Sequence, residues 1–456
     1  QEIRREESLP HSVQGMTCPN CERLQMRIKV LEAELEEREK SIEELKRKLA
    51  LYENPNTPPS RRMYPSRPRK TGGNRFPGRP CGHPGNTRPK PRPDIVKAPD
   101  LKEKCERCGA PLGEPRYVNH CIVEEISNPA PRQVIDFLEF EWKCKACKAY
   151  TVARHPDCPP EGLFGKNVLV QTTLMKFEER LPLQKIVEGL ENQFELPITT
   201  ASVLDITRRV SEWLRPEYEA IREKIRQSKA VYADETGEKV DGKKHSLWSF
   251  TTETETLIVI RKSRGKKVLE ETLGKDFEGI VVCDGWRSYP AFTRNIQRDW
   301  AHLLREAKWL AEHVEEAEPM QQALQKMYED LKSSLMEDPP PMERVKLKKK
   351  AKRRLSYWLD KRYKSREVKK FVQKVRNGFD YWFTFVTTPG VEPTNNRAER
   401  SLKEPVVQRK IIGTFRNGKG TRIYETLMTM LATWKQQGLN PYKAMAESLS
   451  AAWAKS

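Results

Sequence analysis

Lys229-Ala230-Val231-Tyr232-Ala233-Asp234 and Gly279-Ile280-Val281-Val282-Cys283-Asp284 are the two stretches on which the fold turns. Each is a short run of β-branched, aromatic and small apolar residues that ends on an aspartate. The second has no polar residue between its glycine and its acid, the pattern of a strand covered on both faces. Between them, Ser246 to Thr251 and Leu257 to Arg261 read as two more strands joined by a turn at Glu253 to Glu255, and Lys266 to Leu273 as a short helix. Three neighbouring strands, a helix and another strand predict an α/β unit built on a mixed sheet. An unpaired buried carboxylate costs several kcal/mol. Acids at the ends of two buried strands therefore point to a bound cation or a basic partner, with a turn or cap role as the plainer alternative for either one alone. Mg²⁺ takes oxygen ligands and keeps waters, so one or two carboxylates suit it. A third acid, Glu399, stands on a predicted helix in Thr394-Asn395-Asn396-Arg397-Ala398-Glu399-Arg400.

On the N-terminal side of this unit, residues 161–228 read as helices: about Lys166 to Glu179, then Leu183 to Phe194 opened by Pro182, then a third to Trp213 capped by Thr199 or Thr200. Two helices across a short turn form either a DNA-reading helix-turn-helix or a plain helical hairpin. Further back, Cys105-x-x-Cys108 and Cys144-x-x-Cys147 stand 35 residues apart with strand-like Gln133 to Trp142 between them. Two such knuckles close a tetrahedral four-thiolate Zn²⁺ site of structural type, a zinc ribbon; otherwise they are four separate thiols. Cys18-x-x-Cys21 is half of such a site. Residues 54–93 hold eleven Pro, ten Lys or Arg and no Asp or Glu. They predict an extended basic linker, which tracks phosphates or is a solvated spacer. Leu24, Ile28, Leu31, Leu35, Ile42, Leu45, Leu49 and Tyr52 form a heptad seam interrupted only at Arg38. That pattern predicts a coiled coil, hence a homodimer or higher homo-oligomer; a lone amphipathic helix packed on the body is the alternative.

On the C-terminal side, residues 302–375 are helical and highly charged, broken at Pro339-Pro340-Pro341. In the run Lys346 to Arg354 only Leu347 and Ala351 are uncharged. Asn395 to Lys410, Ile423 to Gln437 and Asn440-Pro441 to about Trp453 read as helices. Arg397 and Arg400, three apart, share a face; they meet phosphates or pair with acids such as Glu404. Arg409 and Lys410, with Arg416, Lys419 and Arg422, make a basic cluster suited to holding phosphates rather than reading bases.

The whole chain of 456 residues is too long for one core. It carries 84 Lys plus Arg against 64 Asp plus Glu, a formal charge of +20. An excess of that size calls for a polyanionic partner, nucleic acid before an acidic membrane surface. No run of about 18 apolar residues predicts a membrane span, and no opening segment reads as a signal peptide. The ten Cys are expected as thiols and metal ligands rather than disulfides, in a cytoplasmic protein.

The chain resembles transposases of the insertion sequence 66 family, which belong to the DDE class. Tyr232-Ala233-Asp234-Glu235-Thr236 is similar to the first acidic motif of that family. Val282-Cys283-Asp284-Gly285-Trp286, with Tyr289, is similar to the second, and Asn395-Asn396-Arg397-Ala398-Glu399-Arg400 to the third and most specific. The resemblance implies an RNase H-like catalytic fold. It also implies a two-metal phosphoryl transfer in which Asp234, Asp284 and Glu399 hold Mg²⁺ or Mn²⁺. It implies DNA, as transposon ends and target, for a partner, accessory transposition proteins besides, and the prokaryotic cytosol or nucleoid as the location. His302, in Trp300-Ala301-His302-Leu303-Leu304, matches a further motif and is expected at the DNA or metal region, or else in a helical core.

The organisation expected is therefore a multidomain α/β chain. It runs from a coiled-coil segment (1–53) and a Pro-rich linker (54–100) to a zinc ribbon (101–160) and a helical region (161–228). An RNase H-like catalytic domain (229–305 and 376–456) follows, interrupted by a helical insertion (306–375). Two other readings use the same features: a non-catalytic zinc-dependent DNA-binding protein, and an RNase H-like nuclease without strand transfer.

Overall fold

A computed structural model describes residues 19–50, the pieces 107–108, 110–111, 132–138, 140–143, 147 and 150–153, and residues 155–455. The basic linker at 54–93, Cys18, Cys105 and Cys144 lie outside them. The chain divides into a large unit (residues 1–65, 137–186 and 199–456) and a small one (66–136 and 187–198).

In chain order, α1 spans Pro19–Ala50 and two short strands follow, β1 Phe140–Lys143 and β2 Tyr150–Ala153. Helices α2 Lys166–Phe177, α3 Leu183–Phe194, α4 Thr200–Trp213 and α5 Arg215–Arg226 precede the sheet strands β3 Ala230–Val240, β4 Lys243–Thr251 and β5 Thr256–Arg261. Then come α6 Lys266–Leu273, β6 Ile280–Cys283, α7 Ser288–Phe292 and β7 Ile296–Arg298. The rest is helical: α8 Trp300–His313, α9 Glu318–Met336, α10 Pro341–Leu359, α11 Arg366–Asn377, α12 Thr384–Thr387, α13 Asn396–Ile412, α14 Gly418–Gln436 and α15 Pro441–Trp453. Thr199 caps α4 by accepting from Ser202 N. Leu31, Leu35, Ile42 and Leu45, on the seam of α1, are exposed. In the small unit, Arg132 N donates to Phe194 O at 2.8 Å, tying the end of α3 to the incoming chain.

The five-stranded sheet has the order β5-β4-β3-β6-β7. The pairs β3–β4 and β4–β5 are antiparallel, while β3–β6 and β6–β7 are parallel. This is the mixed sheet expected, with two differences. Strand β3 does not stop at Asp234 but runs on to Val240, because it pairs with β4 through a two-residue hairpin. Asp241 and Gly242 both have positive φ there (53° and 69°), as a primed turn requires. Strand β7 is three residues long, shorter than any alternation signal can reveal. Further upstream, the strand reading of Gln133 to Trp142 holds only at its end. Residues 133–138 carry no regular structure, since β2 offers just four residues to pair, at 140–143.

The edge strand β5 is closed by a helix rather than by another strand. Thr256 N donates to Thr433 Oγ1 (3.1 Å), Ile258 N to Thr429 Oγ1 (2.9 Å) and Ile260 N to Glu425 Oε1 (2.6 Å). Four residues of helix rise about 6 Å and two of strand about 6.6 Å. Side chains four apart on α14 therefore meet alternate N–H groups of β5, and the edge is left no template for strand addition. On the other side of the sheet order, one core joins Tyr232 and Val282 to Trp300 and Leu303 of α8, Met320 and Leu324 of α9, Leu355 of α10 and Phe371 of α11. Trp300 Nε1 donates to Trp382 O at 2.6 Å inside it. The helices between β7 and α13 thus share their apolar interior with the sheet.

Candidate active site

Register aligns the acids. Tyr232 stands opposite Val282, and Val282 opposite Gln297. Two residues beyond each stand Asp234, Asp284 and Asp299. Side chains alternate along a strand, so the three acids are in phase at the C-terminal edge of the parallel strands. Helix α13 crosses the same face. Its Ser401 hydroxyl meets Ser249 and, at 3.3 Å, Thr251 of β4, which sets Glu399 in the first turn above the acids. Asn395, buried just before α13, donates from Nδ2 to Ala233 O at 2.9 Å and so ties the helix start to the strand that carries Asp234.

These carboxylates act on one another. Burial pushes Asp234 up to about 8, and the charges of Glu235, Asp284 and Glu399 add to it. Asp284 is steadied by its own turn: Oδ1 accepts from Trp286 N at 2.8 Å, and its carbonyl accepts from Arg298 at 2.8 Å. Gly285 permits this approach, since a Cβ there would lie 3.0 Å from the Arg298 guanidinium.

Among the described residues, the group whose ligand atoms all lie within 4.8 Å of one another is Asp299, His302 and Glu399. Asp234 and Asp284 stand beside that group rather than in it. Asp299 caps α8 by accepting from Ala301 N (2.8 Å), and its other oxygen takes a short contact from His302 Nδ1. The same nitrogen lies 3.3 Å from Glu399 Oε1. Burial works to lower the His302 pKa, but the Asp299 hydrogen bond and the Asp299 and Glu399 charges outweigh it and raise it. Of the two outcomes open for His302, the structure has it at the acids.

Two site residues had no sequence expectation. Asp299 carried a readable signal, an Asp just before a helix and three residues before a His. Glu235 points to the other face of β3. Its buried carboxylate accepts from Tyr289 Oη (2.7 Å) and pairs with Arg264, whose guanidinium stacks on Trp286 at 4.1 Å. Burial, then Asp284, raises its pKa against those partners.

The basic candidates divide. Arg397 pairs with Glu392 at 2.6 Å and lies over the Tyr232 ring, while Glu404 is held by Arg180. Arg409 reaches the Gly237 carbonyl and lies 3.9 Å from Glu238. Arg400 and Lys410 are exposed. Arg397 and Arg400 line, with Ser401, Met428 and Lys435, an open cavity of about 430 Å³ behind α13. Of the four candidate zinc ligands, Cys108 and Cys147 are described, each as an exposed thiol.

The sequence profile of the Transposase IS66 family matches residues 161–423, more than half of the chain, and the match takes in every acid of the site. The chain belongs to the IS66 transposase family. A curated relative, the uncharacterized protein y4jD of Sinorhizobium fredii (strain NBRC 101917 / NGR234), is 22% identical over 403 residues, covering 79% of this chain and 76% of its own length. Family membership makes this chain one that acts on DNA. No helix among the described residues is long and apolar enough to cross a membrane.

Proposed function

We propose that this chain is the transposase of an insertion sequence, which binds the element's DNA ends and catalyses metal-dependent strand cleavage and strand transfer in the prokaryotic cytosol. The observation that carries the reading is the in-phase placement of Asp234 and Asp284 under Glu399, on a sheet whose strand order and directions fit an RNase H-like core. The donor set suits a hard cation: burial, with the charges of the neighbouring carboxylates added, lifts Asp234 to about 8, and such a group gains from a divalent charge beside it. Asp234, Asp284 and Glu399 would hold Mg²⁺ or Mn²⁺, which when bound supplies charge neutralisation for phosphoryl transfer.

The chain's own residues do the rest. In each step a hydroxyl, of water or of a 3′ end, forms the new bond to phosphorus as the bond to the leaving oxygen in line breaks. Asp299 orients His302, and His302 holds Glu399 by the 3.3 Å contact. Arg400 and Lys410, exposed on α13, take phosphates. For Arg397, Arg409 and His302, contact with DNA requires an exchange of their present partners. In the same reading α1 dimerises through its exposed seam, Cys105, Cys108, Cys144 and Cys147 form the zinc ribbon, and the domain boundaries are those given above.

The test is cleavage and joining of DNA carrying the element's own ends, with Mg²⁺ or Mn²⁺, by wild type and by Glu399→Gln. Joined products lost in the variant support the reading. Cleaved but never joined products would instead point to a nuclease, and binding without cleavage by wild type to a non-catalytic protein.

A further inference from the structure

We propose that the outward face of α10 is a second docking surface for duplex DNA, taking its phosphate backbone; this rests on the transposase reading and names a surface outside the acid site. The helix holds eight Lys or Arg and one acid between Pro341 and Leu359. Those that face inward or sideways have partners. Arg344 pairs with Asp338 at 2.6 Å, Lys352 with Asp380 at 2.7 Å and Arg354 with Asp330 at 2.8 Å. Lys346, Lys349, Lys350 and Arg353 are exposed and have no carboxylate partner among the described residues. Their spacing puts them in one stripe, and Ala351, Leu355 and Leu359 on the opposite side are buried. The stripe continues into Tyr357, which is exposed, and Lys361, whose ammonium lies 4.7 Å from the Tyr357 ring and 3.9 Å from that of Trp358.

Like charges three and four apart destabilise a helix by about 0.2–0.5 kcal/mol per pair. This stripe contains several such pairs and none of its cations is ion-paired among the described residues, while Arg344, Lys352 and Arg354 on the same helix are. A polyanion relieves them all. From Lys346 to Tyr357 the helix rises about 16 Å, and duplex DNA presents roughly one phosphate charge per 1.7 Å of axis, so four cations find phosphates along that length. The contact reads no bases and is therefore sequence-independent.

The experiment measures the affinity of the full chain for a random-sequence duplex across a series of salt concentrations. The variants are K346Q/K349Q/K350Q/R353Q, the charge-keeping K346R/K349R/K350R, and a control, K224Q/K267Q/K275Q/K443Q, with the same loss of charge elsewhere. Each lost phosphate contact lowers the slope of log affinity against log salt by about 0.9, so the first variant should lose about 3 to 4 from the slope while the other two keep it. An unchanged slope in the first variant, or an equal loss in the control, overturns the proposal and leaves the transposase reading standing. Wild type that fails to bind duplex DNA at any salt overturns both.

Discussion

Replacing Asp234 by Asn should stabilise the metal-free protein, increasingly so as pH rises. The folded state holds this carboxyl up to about 8, against an ordinary value of 3.8. A carboxyl raised on folding keeps a proton that the unfolded chain has already released. Its cost is absent below about pH 4, grows through the window between, and is complete above about pH 8. Each unit in that window costs at most about 1.4 kcal/mol. Asp234 is half-buried, so screening trims this to about 1 kcal/mol per unit, or about 2 kcal/mol between pH 5 and 7. Asn has the same shape and no charge. The thermal midpoint of Asp234→Asn should therefore draw level with wild type near pH 4 and exceed it by about 5 °C at pH 7 in the presence of a chelator. Mg²⁺ at about 100 times its dissociation constant should return about 2.7 kcal/mol to wild type and little to the variant. A gap that does not widen with pH, or Mg²⁺ that stabilises both alike, would refute the argument that these carboxylates crowd one another into a cation site.

Three further outcomes are expected. Thr429→Val leaves the Ile258 amide without its acceptor and should cost about 1–3 kcal/mol in urea denaturation; wild-type stability with a still-protected amide would remove α14 as the closure of the sheet edge. Leu35→Glu with Ile42→Glu places charge in the seam of α1 and should reduce the mass seen by light scattering to that of one chain, whereas an unaltered mass counts against the coiled coil. Cys105→Ser should lower bound zinc by about one ion per chain in elemental analysis; equal zinc contents would sink the ribbon.

Local pattern determined most elements. The apolar runs at 230–234 and 280–283, the cap at Thr199 and the helix start at Asn440-Pro441 each depend on residues next to one another in the chain, and each stands where that local reading put it. The motifs around Asp234, Asp284 and Glu399 were likewise legible as acids closing apolar runs and on a helix, although β3 carries on past Asp234. What the chain could not disclose locally is pairing. The extension of β3 to Val240, the three residues of β7 and the cover that α14 gives β5 depend on partners far away in sequence, because strand hydrogen bonds and side chain–backbone bonds form across the fold. Asp299 and Glu235 joined the site for the same reason. Register alone puts Asp299 in line with Asp284, and only the packing of Tyr289 and Arg264 gives Glu235 its partners. The stripe on α10 shows the same division. The charges of α10 are written in the sequence, but tertiary structure set Asp338, Asp380 and Asp330 beside Arg344, Lys352 and Arg354 and, among the described residues, left the stripe without an ion-pair partner.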